Sequence, residues 1–581
     1  MKTLIIAVNS KFIHSSLAVH YLKSVCGDDA GEIKVLEYTI NDQKDNVLSS
    51  IYSENADIVA FSCYIWNYEY IKDIIADLKS LKPQIKIILG GPEVSYNPVE
   101  IMDEIHDVDY IIAGEGEEAF PLLLKHIFLG KNENGLENIK GLAFRKEGDV
   151  FYDNAYNLIH DLQSIPSPYS DEMLNSIGPN RILYYESSRG CPFSCSYCIS
   201  STFDGVRYFN IDRVKSDILK FIERNVKQVK FVDRTFNCNK KRANEILEFV
   251  IENAGDTNFH FEVAGDLFDE NTLNILKNAP KGLIQFEIGI QTVNLKALDA
   301  ISRKTDLEKL FYNIKKLMDF KNIHIHVDLI AGLPMEGYDS FKNSFNKVFA
   351  LKAHQLQLGF LKLLKGSRIR NEADIYQYVY KKKAPYEILS NMFLKYDEII
   401  KLKEIEELVE RYYNSGKFQR TLEYLIKSTG KTPFEFFDHL SLYWKENGLY
   451  ERSISGRELY TILVNYLSST ESIDMLQVNE LLRFDFLSTD SSNNLPKEIN
   501  RLRYINNDRI FAFLKKDENI KNYLSHFEGM LPKNIFKHIH IEHFLFDMTD
   551  NALPPAEIAI LFDYSNRDKV TGVFSYHKIS I

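Results

Sequence analysis

Long apolar runs are absent from this sequence of 581 residues. No stretch approaches the ~20 uninterrupted apolar residues that are needed to cross a bilayer. The run TLIIAV near the N-terminus is also too short for the core of a signal peptide. We therefore expect a soluble, cytoplasmic protein with no membrane partner, in which this run forms a first buried strand.

Cysteines are few, and their distribution argues against disulfides. The chain has six, and three of them, Cys191, Cys195 and Cys198, lie within eight positions. In the reducing cytoplasm such a group favours metal ligation over a disulfide framework. The other three are scattered, and we expect buried or inert thiols there.

Basic residues are fewer than acidic ones: the chain has 70 Lys and Arg and 81 Asp and Glu, which gives a net charge of −11. Phosphate binding depends mainly on clustered Lys and Arg, so a nucleic-acid partner is not expected. The content of 45% apolar and 26% charged residues, without repeats or low-complexity tracts, is typical of a folded protein. At the usual ~100–200 residues per domain, the length predicts three or four domains.

Residues 1–135 alternate short apolar runs with amphipathic stretches, and glycines follow two of the runs. This alternation predicts a doubly wound, Rossmann-like parallel sheet, in which ligands bind at the carboxyl ends of the strands. A mixed segment that includes the Pro-rich stretch SIPSPYSDE, residues 136–178, predicts a connector. The candidate ligand-binding loops are 9–14, 62–66, 90–95 and 114–117.

A second alternating series occupies residues 179–370. Its six candidate βα units predict a partial (β/α)6 barrel with the active site at the C-terminal strand ends. Residues 371–581 are dominated by long helical patterns, including one over 386–412, and end in strand-like runs. We expect an α/β protein whose third domain is mainly helical with a small terminal sheet.

The clustered cysteines lie in the segment RGCPFSCSYC, directly after the first predicted barrel strand. Thiolates at Cys-x3-Cys-x2-Cys spacing can ligate three irons of a 4Fe-4S cluster and leave the fourth iron open for an external ligand. A zinc ribbon would need four ligands in two pairs, which this segment does not supply. Cys191, Cys195 and Cys198 are therefore the candidate metal ligands.

With this motif, residues 181–370 resemble the radical SAM superfamily, whose members use S-adenosylmethionine (SAM). The resemblance implies that SAM binds the open iron and is cleaved reductively to a 5′-deoxyadenosyl radical. Arg303 has the placement of an arginine that pairs with the SAM carboxylate, and Gly332 begins an adenine-side turn. Each polar residue in this set could equally cap a strand or satisfy a neighbour. The residues implied to contact SAM are Tyr197, Asp233, Arg234, Asn237, Glu262, Gln291, Arg303 and Gly332.

A doubly wound domain in front of such a barrel resembles the cobalamin-binding (B12-binding) class of radical SAM proteins. Ser62-Cys63-Tyr64 is followed by 25 residues and then by Gly90-Gly91, a spacing similar to that of the class. The glycines would let the nucleotide tail of the cofactor lie against the backbone, and Ser62 could hydrogen-bond its dimethylbenzimidazole end. The residues implied to contact cobalamin are Asn9, His14, Ser62, Tyr64, Gly90, Gly91, Ser95, Gly114, Glu115 and Gly116.

The first loop departs from the class. Cobalamin domains that ligate the cobalt through protein carry Asp-x-His-x-x-Gly, whereas this loop reads NSKFIH and ends at His14. The departure favours base-off cobalamin without a protein ligand, and His14 could instead be a capping or core histidine. A sheet domain that has lost cobalamin and only supports the barrel is another alternative. The third domain resembles an uncharacterised, DUF4080-like domain of a bacterial branch of these proteins.

These resemblances imply a cobalamin-dependent radical SAM methyltransferase that acts at an unactivated carbon. One SAM would methylate Co(I), and a second would give the radical that abstracts a substrate hydrogen. The expected partners are a small-molecule or peptide substrate and an electron donor such as flavodoxin or ferredoxin. No catalytic side chain is assigned.

Three other functions stay open at this point. A radical rearrangement or cyclisation would use cobalamin without methyl transfer. A methylthiolating tRNA-modifying enzyme would need a second cluster, but residues 1–135 contain only Cys26 and Cys63. A non-catalytic cluster or cobalamin sensor would leave SAM intact.

Overall fold

The computed structural model describes residues 1–581 except 131–134, 177, 179, 180, 204, 469–472, 493 and 502, and it does not describe the side chain of Ser176. The expected start of the barrel domain, residue 179, lies outside the described residues. No helix in the described part of the chain is long and apolar enough to cross a membrane.

The N-terminal region is one sheet covered by helices. Its strand order is β2-β1-β3-β4-β5-β6-β7, in which β1 to β5 are parallel and β6 and β7 form an antiparallel edge. The predicted doubly wound sheet is confirmed. The strands are Lys2–Asn9 (β1), Glu32–Thr39 (β2), Ile58–Ser62 (β3), Lys86–Gly90 (β4), Tyr110–Ile112 (β5), Leu142–Lys146 (β6) and Asp149–Phe151 (β7). The helices are Leu17–Ser24 (α1), Lys44–Ser53 (α2), Tyr68–Leu81 (α3), Pro98–Glu104 (α4) and Gly116–Phe128 (α5).

The apolar run of β1 is buried on both faces, as is usual for a central parallel strand. Leu4 and Ile6 pack with Ile71 of α3, whereas Ile5 packs with Phe120 of α5 on the opposite face. The chain leaves β1 for β2 on one side and later adds β3 on the other side, so the strand order reverses at β1. A crevice therefore opens at the carboxyl ends of β1 and β3, where such folds bind ligands.

The central region is an all-parallel sheet of order β15-β14-β13-β12-β11-β8, and the partial barrel is confirmed. A β9/β10 hairpin follows its first strand. The strands are Leu183–Tyr185 (β8), Ser188–Gly190 (β9), Val206–Tyr208 (β10), Gln228–Phe231 (β11), Asn258–Val263 (β12), Ile284–Gln291 (β13), His324–Ala331 (β14) and Gln355–Phe360 (β15). The helices are Asp171–Ser176 (α6), before the barrel, and Ile211–Glu223 (α7), Lys240–Glu252 (α8), Glu270–Lys277 (α9), Leu295–Ala300 (α10), Leu307–Phe320 (α11), Tyr338–Phe349 (α12) and Arg368–Asn371 (α13).

The C-terminal region is mainly helical and ends in a three-stranded antiparallel sheet, as expected. Its strands are Val379–Tyr380 (β16), Ile388–Ser390 (β17), Ile539–Phe546 (β18), Pro555–Arg567 (β19) and Phe574–Ile579 (β20). Its helices are Tyr396–Leu408 (α14), Gln419–Thr429 (α15), Pro433–Glu446 (α16), Glu458–Ser468 (α17), Met475–Thr489 (α18), Asn507–Leu514 (α19), Asp517–Tyr523 (α20) and Pro532–Ile535 (α21). Phe345 of α12 lies 5.5 Å from Phe434 of α16, so this region shares a core with the barrel.

The expected helix over 386–412 is wrong in its first ten residues. Residues 388–390 form β17, and helix α14 begins only at Tyr396. The reason is tertiary pairing, because the Ile388 amide donates to the Leu361 carbonyl beyond β15. The side chain of Asn391 then accepts from the Phe393 and Leu394 amides and closes a turn before the helix.

Candidate functional site

The three clustered cysteines lie on a loop that follows the β9 strand. A turn joins two of them, since the Cys198 amide donates to the Cys195 carbonyl at 3.1 Å. The loop is pinned through Ser196, whose amide donates to the Ile301 carbonyl and whose carbonyl accepts from the Ile369 amide, both at 2.9 Å. Two parts of the central region, the segment after α10 and helix α13, therefore fix the loop from two sides.

The donor set of this loop fits an iron-sulfur cluster. All three thiols are free. Among the residues that the structure describes, no three His, Cys, Asp or Glu side chains are placed to hold a single metal ion. A 4Fe-4S cluster spreads three thiolates over three irons and so needs ligands more widely spaced than a single ion does.

Arg303 adjoins this loop. Its Nη1 lies 3.8 Å from Cys195 Sγ and 3.4 Å from Tyr197 Oη, and its Nη2 donates to the Gly289 carbonyl at 2.5 Å. The buried Nε of Arg303 and the buried Oε1 of Gln291 have no hydrogen-bond partner among the described residues. Buried polar atoms normally have partners, so these two atoms suit a polar ligand such as the amino-acid end of SAM.

Two of the residues implied to contact SAM are fully engaged inside the protein. Asp233 is buried and accepts from the Ser187 amide at 2.9 Å, from the Ser187 hydroxyl at 2.7 Å and from the Ser188 hydroxyl. Asn237 is buried and exchanges two hydrogen bonds with the backbone of Ala264, at 2.8 and 2.9 Å. These side chains hold the ends of β8, β11 and β12 in register. Arg234, by contrast, is exposed and lines a cavity between the barrel and the N-terminal sheet.

Gly332, the last of the implied SAM contacts, supports the third region. Its carbonyl accepts from Tyr378 Oη and from Asn391 Nδ2, both at 3.0 Å. Its φ is +94°, and a Cβ at this position would lie 2.7 Å from the Ile388 side chain. A glycine is therefore required here by the packing of β17 against the end of β14.

Glu262 belongs to a polar network in the barrel lumen that sequence reasoning missed. Lys230 Nζ lies 3.7 Å from Glu262 and 3.0 Å from Glu287, and His260 lies 3.1 Å from Glu287. Burial raises the pKa of Glu262, whereas His260 and Lys230 outweigh burial and lower the pKa of Glu287 to about 2. Polar residues at every second position of FHFEVAG and IQFEIGI were the available signal.

A cavity of 920 Å³ lies between the carboxyl edge of the N-terminal sheet and the barrel. All ten residues implied to contact cobalamin line it, as do Glu186 and Arg234 of the barrel. Ile199 and Ser200, which directly follow the last clustered cysteine, line it too. Ligand pockets usually measure about 300–1,000 Å³, so this volume suits a large cofactor.

The glycines of this cavity play different parts. A Cβ on Gly90 would have only the Ile112 carbonyl within reach, at 3.8 Å, so a ligand can approach the backbone there. Gly91 and Gly114 have φ of +104° and +99°, and a Cβ would lie 2.6 Å from the Cys63 carbonyl and 2.3 Å from the Asn157 carbonyl. Gly90 therefore offers an open cradle, whereas the other two are required by internal packing.

Several polar residues implied to contact cobalamin already have protein partners. The Glu115 carboxylate pairs with Arg207 through bonds of 2.6 and 2.8 Å, and Asn9 donates to Glu37 at 2.9 Å. His14 Nδ1 lies 2.6 Å from the Tyr184 hydroxyl, and burial lowers the pKa of this histidine. One ring nitrogen of His14 thus serves the contact between sheet and barrel, and only Nε2 is left for another partner.

Glu186 is a further cavity residue that sequence reasoning missed. It follows β8, and both of its carboxylate oxygens accept from Arg189 Nε at 3.0 Å. Arg189 also pairs with Glu117 of α5, which ties the barrel to the N-terminal sheet. Burial raises the pKa of Glu186 to about 7, although Arg189 opposes the shift. The available signal was its place at the end of a barrel strand, five residues before Cys191.

Three family models match separate parts of the chain. The model of the B12 binding domain matches residues 3–124, and that of the Radical SAM superfamily matches residues 185–348. The model of a protein of unknown function (DUF4080) matches residues 374–562.

Sequence relatives include two methyltransferases. The chain is 26% identical over 338 residues to the cobalamin-dependent radical SAM methyltransferase TokK of Streptomyces tokunonensis, covering 55% of this chain and 49% of TokK. It is 25% identical over 315 residues to the 2-(S-pantetheinyl)-carbapenam-3-carboxylate methyltransferase of Streptantibioticus cattleyicolor, covering 52% of this chain and 46% of that enzyme. The chain spans about half the length of the curated relatives it matches.

Two solved structures share the fold. The cobalamin-dependent SAM radical enzyme OxsB, with aqua-cobalamin and SAM bound, matches with a TM-score of 0.60 and 12% identity over 86% of this chain and 82% of OxsB. The radical SAM methyltransferase TsrM of Kitasatospora setae, with cobalamin and a 4Fe-4S cluster bound, matches with a TM-score of 0.54 and 15% identity over 66% of this chain and 76% of TsrM. At these identities the similarity concerns the fold.

Proposed function

Since this chain belongs to the B12-binding radical SAM proteins that carry a C-terminal DUF4080 domain, we propose that it is a cobalamin-dependent radical SAM methyltransferase. Its reaction is methylation of an unactivated carbon in a small-molecule or peptide substrate. The electron comes from a reducing partner such as flavodoxin or ferredoxin. Free thiols and an oxygen-sensitive cluster suit the reducing cytoplasm.

The observation that carries the proposal is the shared cavity. Gly90 and Ser62, at the carboxyl edge of the sheet, line the same space as Ile199 and Ser200, which adjoin the cluster loop. A cofactor held on the sheet and a cluster held on the barrel would therefore reach one substrate. When bound, the cluster supplies the electron that cleaves SAM, and cobalamin supplies a carrier for the methyl group.

The residues of this chain bind and orient these groups in the proposed function. Cys191, Cys195 and Cys198 ligate the cluster. Arg303 directs a guanidinium toward the SAM carboxylate, a pairing for which its planar fork is suited. Gln291 offers a buried oxygen for the SAM amino group, and Arg234 faces the cavity as a cation for an anionic part of the ligands.

On the cobalamin side, we assign the backbone of Gly90 and the side chains of Ser62 and Tyr64 to the cofactor. Glu115, Asn9 and Gly114 shape the walls, because their own contacts are made within the protein. We divide the chain into a cobalamin-binding domain (1–135), a connector (136–178), a barrel (179–370) and a C-terminal domain (371–581). The connector includes β6 and β7, which form the antiparallel edge of the N-terminal sheet.

The test is anaerobic. The protein is reconstituted with iron, sulfide and hydroxocobalamin, then given SAM and a low-potential reductant, and the nucleoside products are quantified by mass spectrometry. We expect 5′-deoxyadenosine and S-adenosylhomocysteine from the wild type and no 5′-deoxyadenosine from a Cys191→Ala, Cys195→Ala, Cys198→Ala variant. Cys26→Ala, which removes a thiol outside the motif, should behave as the wild type.

Either of two results would count against the proposal. Deoxyadenosine without S-adenosylhomocysteine would favour a rearrangement or cyclisation. The absence of both products would leave a non-catalytic sensor as the better description.

A further inference from the structure

Glu93 lies in the glycine loop, residues 90–95, and its carboxylate is held by residues from far along the chain. Glu93 as a whole is 2% exposed. Lys365 Nζ lies 2.9 Å from Glu93 Oε1 and 3.4 Å from the Glu93 carbonyl, and the Tyr386 hydroxyl donates to the same Oε1. Lys365, which follows the last barrel strand, and Tyr386 of the C-terminal region thus converge on one carboxylate of the N-terminal region.

Tyr386 is held in place by contacts other than the one to Glu93. The Leu363 amide donates to the Tyr386 carbonyl at 3.0 Å, and the Arg370 guanidinium lies 4.6 Å from the centre of the Tyr386 ring. Tyr386 has a φ of +56°, a conformation that a tyrosine keeps only when its surroundings impose it. Its hydroxyl is therefore presented to Glu93 by a fixed backbone.

A second contact lies one residue beyond the loop. Gly366 has a φ of +79°, and a Cβ at this position would lie 2.2 Å from the Tyr96 ring. The ring therefore occupies space that only a glycine leaves free. Glu93 and Tyr96 thus attach the C-terminal end of the glycine loop to residues that follow β15 in the chain.

A buried carboxylate is unfavourable unless a cation and hydrogen-bond donors compensate it. The compensation for Glu93 comes from Lys365 and Tyr386, so the shape of the loop depends on both. Burial, and next the hydrogen bond to Glu93, raise the pKa of Tyr386, so its hydroxyl stays protonated and continues to donate. Tyr386 lies within the segment that matches DUF4080.

We propose that Lys365 and Tyr386 are positioning residues for cobalamin, which hold the glycine loop in the shape that receives the nucleotide tail of the cofactor. The C-terminal domain then takes part in cofactor binding through its first hairpin. This inference rests on the proposed function, which assigns the glycine loop to cobalamin.

The test compares two ligands in the full chain. Hydroxocobalamin carries the nucleotide tail, and cobinamide has the same corrin ring without it. Dissociation constants for both are measured by absorbance titration of the wild type, Tyr386→Phe and Glu93→Gln. Glu69→Gln is the matched control, because Glu69 pairs with Lys383 of the same hairpin at 3.4 Å but lies outside the glycine loop.

We expect Tyr386→Phe and Glu93→Gln to bind hydroxocobalamin about tenfold more weakly, the lower limit for the loss of one hydrogen bond to a charged group. Cobinamide should bind with nearly unchanged affinity, and Glu69→Gln should bind both ligands as the wild type does. Tyr386→Phe is the milder change, so the test stands even if Glu93→Gln fails to fold.

Other results would overturn the inference in distinguishable ways. If both ligands weaken equally, or if neither changes, the two residues only support the fold and the proposed function is unaffected. If the wild type binds neither ligand, the proposed function fails together with this inference. If the wild type binds both ligands equally, the tail does not use the glycine loop.

Discussion

Arg303 and Cys195 lie side by side, with Nη1 of the arginine 3.8 Å from Sγ of the cysteine. They are 108 positions apart in the chain and meet because the segment after α10 folds back onto the cluster loop. Burial raises the pKa of Cys195, and the positive charge of Arg303 opposes that shift. The residue proposed to bind the SAM carboxylate is thus in contact with a residue proposed to ligate the cluster.

Replacing Arg303 by lysine tests this relationship. Lysine keeps the charge but cannot make two parallel hydrogen bonds to a carboxylate. We expect roughly 10- to 100-fold weaker SAM binding, the range for losing a hydrogen bond to a charged group. Iron and sulfide content and the cluster absorbance should stay at the wild-type level. A variant that loads no cluster would show that Arg303 serves the loop and not SAM.

Gly90 and Gly114 should respond differently to alanine. Gly90→Ala adds a methyl group toward open space, so we expect a wild-type melting temperature and weaker cobalamin binding. Gly114→Ala adds one 2.3 Å from the Asn157 carbonyl at a φ of +99°, so we expect a loss of stability of more than ~1 kcal/mol. Thermal unfolding and absorbance titration measure the two effects. If the two variants had the same melting temperature and the same cobalamin affinity, the different roles assigned to Gly90 and Gly114 would be wrong.

The raised pKa of Glu186 should make the free energy of unfolding depend on pH. Because the folded-state pKa of about 7 lies above the ordinary value, the folded protein binds this proton more tightly than the unfolded chain does. Stability should therefore fall as the pH rises from ~4.5 to about 7, by roughly 3 kcal/mol at ~1.4 kcal/mol per pKa unit. We expect Glu186→Gln to lack this component when urea unfolding is measured between pH 5 and 8.

The control for this measurement is Glu118→Gln, which changes an exposed carboxylate on α5. It should follow the wild-type profile throughout. A wild type and a Glu186→Gln variant with parallel profiles would show that Glu186 titrates at its ordinary pKa.

Glu115 should act on stability and not on cobalamin binding. Burial alone would raise its pKa, but hydrogen bonds from Arg207 and the charge of Arg189 lower it. The ionised carboxylate therefore stabilises the fold above the ordinary pKa, and this contribution is lost as the pH falls below it. We expect Glu115→Gln to have a lower melting temperature than the wild type at pH 7. Near pH 3 the two melting temperatures should differ less. A tenfold change in cobalamin affinity without a change in melting temperature would reverse this assignment.

Much of the fold could be predicted because its signals are local. Runs such as those of β1, β3 and β4 are buried on both faces, and the glycines at the end of β4 mark one of the loops that line the cavity. The Cys191 motif is contiguous, so its spacing alone indicated a cluster. These features depend on short stretches of chain, which a single sequence displays directly.

The features that were missed depend on distant partners. The β17 strand forms because Ile388 pairs with Leu361, and nothing within residues 386–395 signals that pairing. Motif order placed Asp233 among the SAM contacts but could not show that Ser187 and Ser188 already occupy its carboxylate. Glu93 and Tyr386 lie 293 positions apart, and only the folded chain brings them together.

Whether cobalamin carries the methyl group is decided by the dependence of the two nucleoside products on cobalamin. The iron-loaded wild type is incubated anaerobically with SAM and reductant, with and without hydroxocobalamin. We expect S-adenosylhomocysteine only when cobalamin is present, whereas 5′-deoxyadenosine should depend on the three cysteines in both cases. Equal amounts of S-adenosylhomocysteine with and without cobalamin, or none in either case, would contradict this expectation.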